Sequence, residues 1–267
     1  MREFFSTYWL YIKTFFKSRA EYRVGFFLGL FSNFYGYFIT YATFWVLVSS
    51  LGHIGGWDFS DLSILYGLSL LTYAISGTLI WYTVYHLGGI ITGGGLDMYL
   101  TRPLGVLRQM IFQRFGDTFI GQIIVTIIFL SMAIINKIGT LTPALFAYFL
   151  LCIIGGVLIQ AGAMILIGSI SFWTKRSAEI GELFYYEIRD LTQYSLSIFP
   201  RWIQLVLTYV FPWAFINYYP ALIILNKTQT VYDFILGLLS PVIGILFLSV
   251  SLFVFNRGLR KYSGAGN

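Results

Sequence analysis

The segment ITGGGLDMYLTRPLGVLRQ, residues 91–109, combines the residue types that most often bind phosphate. Three consecutive glycines, Gly93 to Gly95, precede an aspartate, two arginines and a proline. Glycine-rich loops bind phosphate through backbone amides when the loop leads from a strand into a helix and a lysine follows. No lysine follows these glycines, and the sequence contains no G-x-x-x-x-G-K-[ST] motif. We therefore expect no nucleotide site, and no cofactor, in this chain.

Other catalytic or metal-binding patterns are also missing from the sequence. The two histidines, His53 and His86, are far apart, and no His-Glu pair, cysteine cluster or Ser-His-Asp set is suitably placed. The single cysteine, Cys152, lies in an apolar run, so no disulfide can form within the chain. The sequence gives no sign of an enzyme that acts alone.

Three charged residues in YYEIRDLTQY could act inside a membrane: Glu187, Arg189 and Asp190. Ionisable groups within a membrane usually mark a functional site. One interpretation is a polar patch on a substrate path or in a subunit interface. The other is a set of charges that neutralise one another near the membrane boundary. The residues themselves leave both open.

The composition shows what must position these residues. Apolar residues make up 58% of the chain and charged residues only 10%, well below the share typical of soluble proteins. The chain is therefore expected to be an integral membrane protein. Its excess of basic residues, 17 against 11 acidic ones, fits cytoplasmic ends of spans better than nucleic-acid binding, which we do not expect.

Uncharged stretches give the predicted spans. Each is long enough for the roughly 20 residues that a helix needs to cross hydrocarbon. Lipid offers no partner to backbone polar groups, so the spans are expected to be helices, in one all-α transmembrane domain over residues 1–267. The stretches are Val24 to Trp57, Leu62 to Leu96, Thr118 to Asn136, Ile138 to Thr174, Trp202 to Asn226 and Phe234 to Asn256.

The two ends of the chain are predicted to lie at the cytoplasmic face. Residues 1–23 place aromatic side chains on one helical face and predict a helix in the membrane interface, while residues 257–267 form a tail after the bundle of 24–256. Basic residues collect on the predicted inner side, whereas the outer loops hold only Lys137 and Lys227. The inner set is Arg2, Lys13, Lys17, Arg19, Arg23, Arg102, Arg108, Arg114, Lys175, Arg176, Arg257, Arg260 and Lys261.

The fifth span has two possible locations. Hydropathy alone favours residues 202–226, but Pro200, Pro212 and Pro220 make one straight helix there unfavourable. The alternative is a polar span from about Ala178 to Phe199, followed by a re-entrant hairpin on the outer side. Both cannot span fully, because seven crossings would place the basic C-terminal end outside. We favour the polar span with a hairpin.

The opening segment then lies on the cytoplasmic side, between the second and third predicted spans. Its glycines end the second span, and LDMYL (Leu96 to Leu100) forms a short amphipathic helix with Asp97 in its first turn. Pro103 stops that helix, and Arg102 and Arg108 flank the break. From physics alone, the element is either a contact surface for a soluble partner or an ordinary interfacial connector.

Three motifs resemble one branch of the ABC-2 type transporter permeases. GGGLDMYLTRPLGVLRQ resembles a signature of the form G-x-LD-x-YL-x-RP, with a threonine at 101 and a tripled glycine as local variations. FPRWIQLVLTYVFPWAFINYYPALIIL is similar to the segment before that branch's last span, and FNRGLRKYSGAGN to its C-terminal end. The resemblance covers nearly the whole chain.

The resemblance implies six spans, a coupling helix in the first cytoplasmic loop and a hairpin that enters the membrane from outside before the last span. It implies a complex of two permeases, identical or sister chains, with two cytoplasmic ATPase subunits that bind ATP and Mg²⁺, in a bacterial cell membrane. The positions that match the signature would form or brace the ATPase contact. They are Leu96, Asp97, Tyr99, Leu100, Arg102 and Pro103.

Two other functions remain possible from the sequence. One is a membrane enzyme on lipid-linked substrates, with Glu187 and Asp190 as its acid and base. The other is an ion-driven secondary transporter with the same charges as a proton relay, although residues 24–136 and 138–256 show no convincing inverted repeat. The function that we expect is a permease subunit that forms an export path and couples to a separate ATPase.

Overall fold

The computed structural model describes residues 9, 13–14, 17, 23–51, 55–113, 115–137, 142–174, 185, 187–192 and 194–263. These residues form helices and connecting turns, and no β-strand occurs among them. The predicted interfacial helix of residues 1–23 and the first residues of the predicted polar span lie largely outside the described residues. The all-helical fold agrees with the prediction from composition.

Ten helices are numbered here along the described chain. Four of them contain short π or 3₁₀ segments within or directly after the α-helix. The helices are α1 Arg23–Leu51, α2 Phe59–Thr92, α3 Leu96–Leu100, α4 Val106–Gln113, α5 Phe119–Asn136, α6 Pro143–Ser169, α7 Glu187–Leu191, α8 Arg201–Val210, α9 Pro212–Ile224 and α10 Val231–Lys261.

Among the described residues, four helices are long and apolar enough to cross a membrane: α2, α5, α6 (with its 3₁₀ end) and α10. The bent pair α8 and α9 would raise the number to five if the two helices form one span. Helix α1 has 29 residues but is not among these candidates. The predicted total of six spans therefore stays a prediction.

Helix α2 lies at the centre of the bundle. Of its most apolar stretch 89% is buried, against 22% for α10, so α2 contacts protein on nearly all sides. Two of its buried hydroxyl groups are satisfied locally and across helices: Thr72 Oγ1 donates to Leu68 O at 2.8 Å, and Ser76 Oγ donates to Val157 O of α6 at 2.9 Å. Such bonds remove the cost of burying a hydroxyl group away from water.

Glycines allow helices to approach closely where the hydrophobic effect gives no driving force. A Cβ atom on Gly244 of α10 would lie 2.5 Å from the carbonyl oxygen of Gly155 in α6, and one on Gly155 would lie 2.8 Å from Pro241 Cα. Apolar lipid does not drive helices together, so close backbone packing between small residues must do so. The α6–α10 pair is the largest helix–helix interface among the described elements.

The region of the predicted fifth span is not one straight helix. Helix α7 ends at Leu191, and residues 194–200 contain only a 3₁₀ turn, so the helical part ends before the predicted limit of Phe199. Residues 202–226 do not form one straight helix, because α8 and α9 meet at 73°; a pair bent in this way is either one broken span or a re-entrant loop. Pro200 is the N-cap of α8, and Pro212 begins α9, where a missing amide hydrogen costs nothing.

The α8–α9 pair begins and ends at the same end of α2. Before α8, a Cβ on Gly55 would lie 3.0 Å from Ile198. After α9, Lys227 Nζ donates to Gly56 O at 2.8 Å. Between these ends, Phe211 and Trp213 line a cleft together with residues of α6 and α10. Contacts of the residues that flank the pair on both sides therefore reach Gly55 and Gly56.

Candidate functional site

The three glycines of the opening segment end α2 through backbone hydrogen bonds. Gly93 N donates to Gly89 O at 2.9 Å, and Gly95 N donates to Ile90 O at 2.9 Å. Gly94 has φ of +71°, the left-handed conformation that favours glycine and commonly ends helices. The glycines thus act as a helix stop and a turn, which is what the sequence predicted.

Helix α3 is fixed to the bundle by one face. Leu96 and Tyr99, three residues apart, are both buried, as expected for positions on one side of a helix. Gln109 of α4 is also buried, and its Nε2 donates to Tyr99 O at 2.8 Å and to Leu104 O. This amide holds the end of α3 and the turn that follows it in one unit with α4.

The opposite face of α3 and the turn after it are exposed. Asp97, Leu100, Arg102 and Pro103 all point away from the bundle, and so does Met98. The six residues predicted from the signature therefore divide into two sets: Leu96 and Tyr99 lie inside, and the other four lie outside. An exposed surface with two apolar side chains between opposite charges is chemically suited to contact a protein.

A cavity lies directly behind α3. Its volume is about 410 Å³, and it separates the last turns of α2 from α3 and α4. Thr83 Oγ1 on its wall is buried and has no hydrogen-bond partner among the residues that the structure describes. The residues around the cavity are Tyr82, Thr83, His86, Gly89, Ile90, Tyr99 and Met110. Because close packing is interrupted here, α3 and α4 have room to shift relative to α2.

Arg189, predicted as a candidate on a substrate path or in an interface, lies against the central helix. Its guanidinium carbon is 4.3 Å from the ring centroid of Tyr73 in α2, a cation–π distance. The side chains of Glu187 and Asp190 fall outside the described residues. Neither interpretation of the three charges is tested by these contacts, and both stay predictions.

Polar side chains surround this position in the interior. The hydroxyl of Tyr185 donates to Gln160 Oε1 of α6. Ser69 Oγ and Thr192 Oγ1 are 3.1 Å apart, and Asn217 Nδ2 donates to Thr192 O at 2.7 Å. The segment around α7 is thus joined through hydrogen bonds to α2, to α6 and to Asn217, which lies in a turn within α9.

Sequence reasoning missed a cluster of four charges at the other end of α2. Lys137 Nζ lies 2.8 Å from Asp58 Oδ2 and 3.0 Å from Asp61 Oδ1, while Lys227 Nζ lies 2.6 Å from Asp61 Oδ2. Asp61 is 1% exposed. We call these four residues the ion-pair cluster. The signal was present in the sequence, since the two lysines are the basic residues of the predicted outer loops and the two aspartates end the first apolar run.

The cluster also forms the N-terminal cap of α2. Asp61 N donates to Asp58 Oδ1 at 2.8 Å, and Asp58 N donates to Asp61 Oδ2 at 3.1 Å, which is a reciprocal capping box. Burial alone would raise the pKa of Asp58, but the bonds from Lys137 and the backbone amide of Asp61 outweigh burial and lower it. Burial would likewise lower the pKa of Lys137, and its bonds to the two aspartates raise it instead.

The described residues contain no group of three His, Cys, Asp or Glu side chains that could hold a metal ion. His53 lies outside the described residues, and Cys152 is buried in α6. The predicted absence of a metal or cofactor in the whole chain stays a prediction.

Apolar helices long enough to cross a membrane, packed around a buried central helix, define a multi-pass membrane protein. The sequence matches the family described as ABC-2 family transporter protein over residues 34–266, and the chain belongs to that family. It is thus an ABC-2 type permease; members of this family are membrane transport components that are not themselves catalytic, and membership implies work with an ABC ATPase in a transporter complex. Comparisons with curated proteins and with solved structures find no match.

Proposed function

We propose that this chain is the permease subunit of an ATP-driven exporter and that α3 is its coupling helix. The observation that carries the proposal is the family match together with the exposed face of α3 at one end of the buried helix α2. Helix α2 has 34 residues and is about 50 Å long, so its two ends lie at opposite membrane faces. The end at Gly93 is then cytoplasmic, and the ion-pair cluster is on the outer side.

This orientation makes the α8–α9 pair a re-entrant hairpin that enters from outside. Both of its ends lie at the Gly56 end of α2, whereas a broken span would end at opposite faces. With α1 as the first span and the segment through α7 as the fifth, the chain crosses six times and both termini are cytoplasmic. We further propose a bacterial cell-membrane location for the complex.

The exposed residues of α3 give the coupling contact. Asp97, Leu100, Arg102 and Pro103 would touch the ATPase, while Leu96 and Tyr99 would anchor the helix in the bundle. Gln109 joins α3 to α4, so a force applied at the exposed face moves both helices together. The cavity behind α3 gives them space to move.

The driving energy comes from the partner. Two ATPase subunits would bind ATP and Mg²⁺ and press on α3 when they close. A second permease, identical or a sister chain, would complete the path. Closure can shift the permease only if α3 contacts the closed ATPase pair better than the open pair, since a ligand moves an equilibrium by its differential affinity alone.

The test is a charge reversal of Arg102 with a matched control at the outer side. Arg102→Glu should weaken co-purification with the ATPase and separate ATP hydrolysis from transport, because it places a negative charge in the contact. Arg201→Glu reverses an exposed arginine at the start of α8, far from the contact, and should leave both measurements unchanged.

Two results would contradict the proposal. One is normal assembly and normally coupled hydrolysis in the Arg102→Glu complex. The other is transport that follows the proton gradient and continues when ATP is depleted, which would favour an ion-driven transporter with Glu187 and Asp190 in its relay.

A further inference from the structure

A cleft of about 430 Å³ lies between α1 and α5, beside the start of α2. The two helices touch in their N-terminal halves, where a Cβ on Gly121 of α5 would lie 2.7 Å from Leu30 O and 2.9 Å from Phe34 N of α1. Further along, rings separate them: Tyr41 stacks on Phe129 with ring centroids 3.8 Å apart. The helices therefore diverge towards the ion-pair cluster and leave an open groove.

The walls of the cleft are almost entirely apolar. Phe38 and Trp45, about 10 Å apart along α1, are half exposed, and Met132 of α5 faces them with its side chain also exposed. Water gains too few hydrogen bonds to occupy such a space, and a void forfeits dispersion contacts. In a membrane the surrounding acyl chains are the medium that enters.

The polar rim of the cleft is the ion-pair cluster. Asn136 and Ser60 line the cleft, and their chain neighbours Lys137 and Asp61 belong to the cluster. Lys137 and Asp58 are 27% and 39% exposed, so the rim presents one cation and one anion 2.8 Å apart. A headgroup with a single sign of charge meets repulsion from one member of this pair, whereas a zwitterionic headgroup can satisfy both.

We propose that this cleft binds one zwitterionic phospholipid, with an acyl chain between α1 and α5 and its headgroup at Lys137 and Asp58. The phosphate would lie near the lysine and the ammonium near the aspartate. The inference takes from the proposed function only that α1 and α5 lie in the membrane, and it does not depend on the ATPase partner. The cleft should distinguish phospholipids by their headgroups. The acyl chain moves from bulk lipid into a cleft that is just as apolar, so it gives no preference.

The experiment uses the complex in lipid nanodiscs with photoreactive phospholipids that carry the same labelled chain. Phosphatidylethanolamine, a zwitterion, is compared with anionic phosphatidylglycerol, and labelled peptides are mapped by mass spectrometry. We expect labelling between Phe38 and Trp45 to exceed labelling on the exposed face of α10. The zwitterion should label about threefold more than the anionic lipid, within the range that one exposed ion pair supplies.

Two alanines provide a matched pair of variants. Ala42 lines the cleft, so Ala42→Phe should fill it and lower labelling there at least about threefold while leaving the ion-pair cluster intact. Ala147 lies on the exposed face of α6, and Ala147→Phe should leave labelling of the cleft unchanged. Thermal unfolding of both variants shows whether each remains folded.

Three outcomes would overturn the proposal. Equal labelling of the cleft and of α10 would show ordinary boundary lipid. Labelling unaffected by Ala42→Phe, in a variant that remains folded, would show that the chain does not enter the cleft. Disulfide cross-linking of two permeases through Met132→Cys would show that a second copy covers this surface. A failed coupling test at Arg102 would not change how any of these three outcomes is interpreted, because the lipid proposal does not depend on the ATPase contact.

Discussion

Removing the charge of Asp61 should destabilise the protein by more than the loss of a helix-capping hydrogen bond alone would. Asp61 is 1% exposed, and its carboxylate oxygens lie 3.0 Å from Lys137 Nζ and 2.6 Å from Lys227 Nζ. Breaking a fully buried ion pair costs about 3–5 kcal/mol, and the lysines, about 30% exposed, recover part of that from water. We therefore expect Asp61→Asn to cost roughly 2–3 kcal/mol, of which the larger part is the loss of charge.

Asp233 provides the control. It occupies the same third position in the capping box of α10, with Thr230 as N-cap, and no ion pair to it is present among the described residues. Asp233→Asn therefore changes the cap alone, at about 0.5–1 kcal/mol. The difference between the two variants isolates the ion pairs.

Thermal unfolding of the detergent-solubilised complex measures both variants. At about 2–4 °C per kcal/mol for a chain of this size, Asp61→Asn should lower Tm by roughly 4–12 °C and Asp233→Asn by about 1–4 °C. The double variant Asp61→Asn with Lys227→Met should recover part of the loss, because it removes an uncompensated charge. Equal Tm values for the two single variants, or a double variant worse than the sum of its parts, would refute this account of the cluster.

Three further predictions follow from local geometry. Because the pKa of Asp58 is lowered, its contribution is complete above its ordinary pKa of about 4 and is lost as pH falls through the lowered value. The raised pKa of Lys137 keeps its contribution below about 10.5 and loses it only in stronger base, so these two groups should leave Tm flat from about pH 5 to 10 and lower it on either side of that range. Gly244→Ala should cost about 1–3 kcal/mol or more, since its Cβ would lie 2.5 Å from a carbonyl oxygen. Gly29→Ala is the control and should not destabilise, because no described atom lies within 4 Å of the added Cβ; circular dichroism melts distinguish the two variants. Gln109→Leu should reduce ATPase-coupled transport while the ATPase still co-purifies, because it frees α3 from α4 and leaves the exposed contact unchanged; loss of assembly would contradict that role.

The opening segment shows how far local sequence reaches. Its glycines, its short helix and its break at Pro103 follow from residue preferences over a few positions, and the structure has each of them where predicted. The division of α3 into a buried face and an exposed face also follows from spacing, because Leu96 and Tyr99 are three residues apart. What α3 touches in a complex depends on another chain.

The region from Ala178 to Asn226 shows where local sequence stops. Its charges and prolines exclude a single apolar helix, which the 73° bend between α8 and α9 confirms. They do not say that both ends of the pair lie beside Gly55 and Gly56. That arrangement depends on contacts of Ile198 and Lys227 with residues far away in the chain.

The sequence by itself determined that this is a helical membrane protein, which of its stretches are apolar and where α2 ends. Those properties depend on transfer between water and lipid and on hydrogen bonds a few residues apart, so each segment carries them alone. Tertiary structure decided that Asp58 pairs with Lys137, 79 residues later, and that α1 and α5 diverge around a cleft. Such features arise only when distant segments are brought together, because an ion pair or a cleft requires two surfaces whose distance no single segment specifies.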